Sequence, residues 1–169
     1  MSEVTHPVAV SIEGDASRPL TRGEIALCEP LFGDAIDYAA VRIRRARWWR
    51  LQPANVVMAP DGDIWCPAEG GAWSPDFAGA SLPMQGLFVH EMTHVWQAQR
   101  GGRWFLPLAR HPLCRYRYRL VPGRPFRRYG LEQQAEIVRH AFLAMRGGGD
   151  GGELAALLPG GANATSPRA

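Results

Sequence analysis

With 169 residues, 46% of them hydrophobic, the chain is long enough for one domain with a real core and too short for two. Its 19 basic residues are all arginine, and 16 acidic residues leave a formal charge of +3, too small an excess to mark a nucleic-acid binder by itself. Three widely spaced cysteines, Cys28, Cys66 and Cys114, lie outside any C-x-x-C, which argues against a disulfide framework or an all-cysteine zinc site and for reduced thiols.

The opening stretch, "MSEVTHPVAVSIEGDASRPL", is polar, carries acids early and has no apolar run long enough for a signal-peptide core. No later segment is long and apolar enough to span a bilayer, so a cytoplasmic protein is expected, with export independent of a cleaved signal compatible. Residues 1–17 are read as a disordered N-terminal segment, 18–146 as the folded domain and 147–169 as a disordered tail, whose glycines bury too little to offset ordering entropy. "PLTRGEIALCEPLFGD" sets Thr21 and Glu24 at capping-box spacing, spaces Ile25, Cys28, Leu31 and Phe32 helically, and ends on Gly33. A short amphipathic helix follows, with Pro30 as a place for a bend. Val41/Ile43, Val56/Met58 and Ile64/Cys66 then alternate with other residues around the turn signal Pro60-Asp61-Gly62-Asp63, which suggests a small, mostly antiparallel sheet. After a Gly/Pro/Ser-rich loop, residues 84–100 carry Met84, Leu87, Phe88, Met92, Val95 and Trp96 around much of a helix, which must be central and mostly buried. Residues 101–130 read as a long ordered excursion over the surface. A last helix, 131–145, has Leu131, Ala135, Val138, Phe142 and Met145 on one stripe, with Glu132, Glu136 and His140 on another.

The chemistry sits on the two later helices. "HEMTH" places His90 and His94 one turn apart on one face, where both imidazoles can reach one tetrahedral metal, with Glu91 beside them. That is the arrangement for metal-assisted hydrolysis of a peptide bond by a zinc-activated water with Glu91 as general base. A catalytic zinc needs a third protein ligand, for which His111, Glu132, Glu136 and His140 are candidates. Glu132 is preferred because it opens the following helix and pairs at i+4 with Glu136, which can then accept the free ring N–H of a ligand histidine; the two roles are exchangeable. Manganese, cobalt and iron are alternatives to Zn2+. Tyr118 and Tyr129, with Tyr116, are near enough in sequence to serve as hydrogen-bond donors to an oxyanion in the transition state, though packing is the commoner use of such rings. Gln97 is placed to line the cleft, and Trp96 to pack in the core. The arginine-aromatic stretches "RIRRARWWR" and "RYRYRLVPGRPFRRYG" share the composition of nucleic-acid sites, but an arginine-rich surface in a lysine-free chain is the favoured reading.

"HEMTHVWQ" followed by "EQQAEI" resembles the zincin metallopeptidases of the glutamate-ligand type. The resemblance implies an α+β zincin-like fold, a ligand role for Glu132 and a histidine-supporting role for Glu136, where that family usually has Asp. Over residues 18–145 the chain is similar to the Vgr-related proteins of bacteria, through "RPLTRGEIALCEPLFGDAIDYAAVRI", "APDGDIWCP", "LFVHEMTHVWQ", "HPLCRYRYRL" and "RYGLEQQAEIVRHAF". It is more distantly similar to the metallopeptidase domain found beside extracellular contractile injection systems. That likeness implies a peptide or protein substrate and an association with type VI-like secretion. A non-catalytic accessory or adaptor of the apparatus, with a structural zinc, is the alternative.

Overall fold

The computed structural model describes residues 17–102, 105–106, 116–148 and 152–160. The architecture is α+β: a three-stranded sheet and two long packed helices, with a shorter helix at the N-terminal side. Strand β1, Ser17–Pro19, leads into α1, Arg22–Phe32. The capping box forms as its spacing predicts: Glu24 N donates to Thr21 Oγ1 at 3.1 Å and Thr21 N to Glu24 Oε2 at 2.8 Å. Gly33, at φ +55°, closes the helix and donates its N–H to Glu29 O.

Glu24 is more than a cap. Its carboxylate is buried and accepts a fork of two hydrogen bonds from Arg18, at 2.7 and 2.8 Å, and another from Phe77 N at 2.9 Å. Arg18 in turn reaches Ser74 O. One buried carboxylate therefore ties β1, α1 and the approach to the next helix.

The sheet order is β1-β2-β3, with β2 Arg42–Arg44 and β3 Ile64–Trp65. β1 and β2 are antiparallel (Arg18 opposite Ile43), whereas β3 lies parallel to β2 (Ile43 opposite Ile64). Around the turn signal Pro60–Asp63 the expected antiparallel pairing amounts to one bridge, Met58 to Trp65. Asp63 turns its carboxylate onto β2 instead, accepting from Arg42 N and Arg44 Nε. Val41, Ile43, Ile64 and Cys66 are buried as their alternation requires, but Val56 is exposed.

Helix α2, Leu82–Gly101, is buried at Gln85, Gly86 and continuously from Phe88 to Ala98, and packs on α3, Leu131–Arg146, most extensively. A Cβ at Gly86 would stand 3.3 Å from Leu143 Cδ2, so this glycine marks the close approach of the two helices. Their shared interior joins the main core through Phe88, Val89, Met92, Val95, Val138, Ala141 and Phe142, with Phe77 stacked on Phe88. Gln133 Oε1 accepts from Gly130 N at the start of α3.

The chain beyond Arg146 departs from the expected unpacked tail. Within its described part, Gly152–Ala155 forms a short helix, α4, Leu158 is only 4% exposed in the core cluster, and Gly160 N donates to Leu31 O. Leu154 and Leu158 supply the apolar surface that the surrounding glycines lack. Residues 1–16 and 161–169, the other ends of the expected flexible segments, lie outside the described residues, as does much of 103–115. Among the described residues no helix is long and apolar enough to cross a membrane.

Candidate metal centre

Helical periodicity puts His90 and His94 on the face of α2 that meets the first turn of α3, where Glu132 projects. The imidazoles are edge to face, with centroids 5.0 Å apart. Both Nε2 atoms converge on one carboxylate oxygen: Glu132 Oε2 is 3.4 Å from His90 Nε2 and 3.3 Å from His94 Nε2. All three side chains are buried, and one donor atom from each lies within 4.8 Å of the others. Two imidazole nitrogens and a carboxylate oxygen fit a borderline-soft divalent cation such as Zn2+, and among the described residues these three form the group.

The electrostatics point the same way. Burial disfavours a charged His90, yet its contacts with Glu132 and Glu136 and the nearby charge of Glu91 outweigh burial and raise the ring from 6.5 to about 9. The negative potential that favours a proton there also favours a cation. His94 Nε2 is buried and, among the described residues, makes no hydrogen bond. Such an atom is costly to bury unless a partner of another kind completes it.

The other Nδ1 atoms face different partners. Glu136 Oε1 lies 2.9 Å from His90 Nδ1, where the sequence spacing allows a supporting carboxylate, and the contact holds Glu136 below the usual carboxylate range. His94 Nδ1 is 2.8 Å from Gln97 Oε1. Glu91 is buried next to His90 on the same helix. Thr93, the polar residue within the motif, satisfies itself by donating to Val89 O.

No protein-family model matches the sequence. Over 137 residues, 78% of this chain, it is 44% identical to the type VI secretion system spike protein VgrG2b of Pseudomonas aeruginosa, and it spans 13% of that protein's length. A solved structure, the effector domain of the same VgrG2b, superposes with a TM-score of 0.69 at 38% identity, covering 86% of this chain and 85% of that one. The chain belongs to the family of the VgrG2b effector domain. The Vgr-related resemblance read from the sequence thus holds at the level of homology.

Within this VgrG2b-type domain the remaining candidates are dispersed. Tyr129 is buried and its hydroxyl accepts from Val121 N, so it fastens the 121–129 loop. Tyr118 pairs its hydroxyl with His140 Nδ1 at 2.7 Å, and His140 Nε2 stands 3.5 Å from Glu136 Oε2, so both lie at the outer edge of the cluster. His111 lies outside the described residues. Within the arginine-rich stretches, Arg44, Arg45 and Arg124 lie over the protein's own aromatics, Trp65, Trp73 and Tyr129, as Arg100 of α2 does over Trp96. Gln97, expected to line the cleft, is buried against α3, where it meets Gln134, a residue the sequence did not single out. Gln97 was legible as a neighbour of His94 on the helix, but its partner on α3 was not.

Proposed function

We propose that this domain is a zinc-dependent metallopeptidase of the zincin-like type, serving as an effector associated with contractile, type VI-like secretion. The observation that carries the reading is the burial of His90, His94 and Glu132 with their donor atoms converging, beside a buried Glu91 on the same helix. Kinship with an effector domain supports the setting, since an effector joined to a spike needs an activity of its own.

His90, His94 and Glu132 would hold the ion, and Glu136 would support His90. Zn2+, when bound, supplies the positive charge that acidifies a water and polarises a substrate carbonyl. Glu91 accepts the proton of the attacking water and passes it to the departing amine nitrogen, so that one carboxylate serves both halves of the hydrolysis. The substrate class is a peptide or protein.

Metal analysis and peptide-library hydrolysis test this together. Purified protein should carry about one zinc per chain, and His90→Ala and Glu132→Ala should lose it while staying folded. Glu91→Gln should keep the metal and lose about 100-fold or more in hydrolysis. Full activity in metal-loaded Glu91→Gln would refute the mechanism. Zinc in the wild type without hydrolysis of any library member would favour a structural zinc in an accessory protein.

A further inference from the structure

Gln97 and Gln134 are both buried, one on each helix of the candidate centre. Gln97 Oε1 stands 2.8 Å from His94 Nδ1, while its Nε2 donates to Leu131 O at 3.1 Å and to Gln134 Oε1 at 3.0 Å. Gln134 Nε2 donates to Tyr129 O at 2.7 Å.

Two backbone carbonyls set the direction of every proton in this chain. A carbonyl oxygen can only accept, so Tyr129 O and Leu131 O must each face an amide NH2. Gln134 Oε1 is then turned to Gln97, and Gln97 Oε1 to His94. The ring must donate from Nδ1, which leaves the lone pair on Nε2, the atom 3.3 Å from Glu132 Oε2.

We propose that Gln97 is a positioning residue: backed by Gln134, it fixes His94 in the Nδ1–H tautomer and ties the aim of that ring to the first turn of α3, one residue from Glu132. The inference rests on the metal-centre reading above. Only an amide meets both demands at this point, accepting from the ring while donating to Leu131. A carboxylate there would keep the ring bond but face two acceptors, and an apolar side chain would lose both bonds. His90, with Glu136 at its Nδ1, is served by a charge, whereas His94 is served by a neutral group whose orientation the helix junction dictates.

That difference separates a positioning role from a merely structural tie between helices. In the full chain, Gln97→Met should weaken zinc binding about 10- to 100-fold in chelator competition. Gln97→Glu should hold zinc within a few-fold of wild type although its Tm falls at least as far as that of Gln97→Met. Long-range 15N–1H correlation on the metal-free wild type should show His94 protonated at Nδ1. Equal zinc losses in the two variants, tracking their losses of stability, would overturn the proposal, as would an Nε2–H tautomer in zinc-competent wild-type protein. Wild type that takes up no zinc would overturn the metal-centre reading with it, so the two failures are distinguishable.

Discussion

At the scale of single residues, the carboxylates around His90 are unequal in what they do. Glu132 aims one oxygen between two imidazole nitrogens, whereas Glu136 meets the far side of the His90 ring and, at 3.5 Å, Arg139 and His140 outside it. Removing the first deletes a donor; neutralising the second only loosens a ring. Glu136→Gln is therefore expected to retain zinc with about 10- to 100-fold weaker affinity, while Glu132→Ala loses stoichiometric zinc; chelator competition on both variants reads the difference. Cys66, by contrast, is an inert neighbour. Burial, reinforced by the charge of Glu91, pushes its thiol up to about 12, so it stays protonated at neutral pH. Peptide mapping after iodoacetamide treatment should find Cys66 unmodified in the native protein and modified once the protein is unfolded.

At the scale of elements, the parts that declared themselves in the sequence are those governed by local rules. The capping box at Thr21 and Glu24, Gly33 at the end of α1, and the apolar girdle of α2 act within one or two turns, so they could be read directly. The i+4 spacings of His90/His94 and Glu132/Glu136 belong to the same class, and the fold sets these residues on facing helices. The sheet was less legible because strands of two or three residues show almost no alternation, and the parallel pairing of β3 with β2 is decided by tertiary packing. Long-range partners were invisible for the same reason: nothing near Gln97 in sequence announces Leu131 or Gln134, and nothing near Glu24 announces Phe77. Glu24 leads to a sharp prediction. Arg18→Ala would leave that buried carboxylate without its counter-ion, so the variant should lose about 3 kcal/mol in denaturant unfolding, while Thr21→Ala, losing a cap, should lose only about 1 kcal/mol.

At the scale of the molecule, the candidate centre is a seam: two of its donors come from α2 and one from α3. Without an ion, that seam holds the buried carboxylates of Glu91 and Glu132 beside two imidazoles, next to the apolar residues that pack the helices together. An ion that binds only when both helices are in place must stabilise the whole fold by linkage. At free zinc 100 times its dissociation constant the gain is about 2.7 kcal/mol. For a chain of this size that raises Tm by roughly 5–10 °C. Thermal unfolding with and without zinc should show the rise in the wild type, its disappearance in Glu132→Ala, and its persistence in Glu91→Gln, which keeps all three donors. Leu158→Ala supplies the contrast, since its side chain packs into the core through the returning C-terminal segment. That variant should be destabilised by about 2–3 kcal/mol with and without zinc, its zinc-dependent increment unchanged. A Tm indifferent to zinc in protein that binds the ion would mean that the donors are gathered in the unfolded chain as readily as in the native seam, which the 38-residue separation of His94 from Glu132 makes unfavourable by loop closure alone.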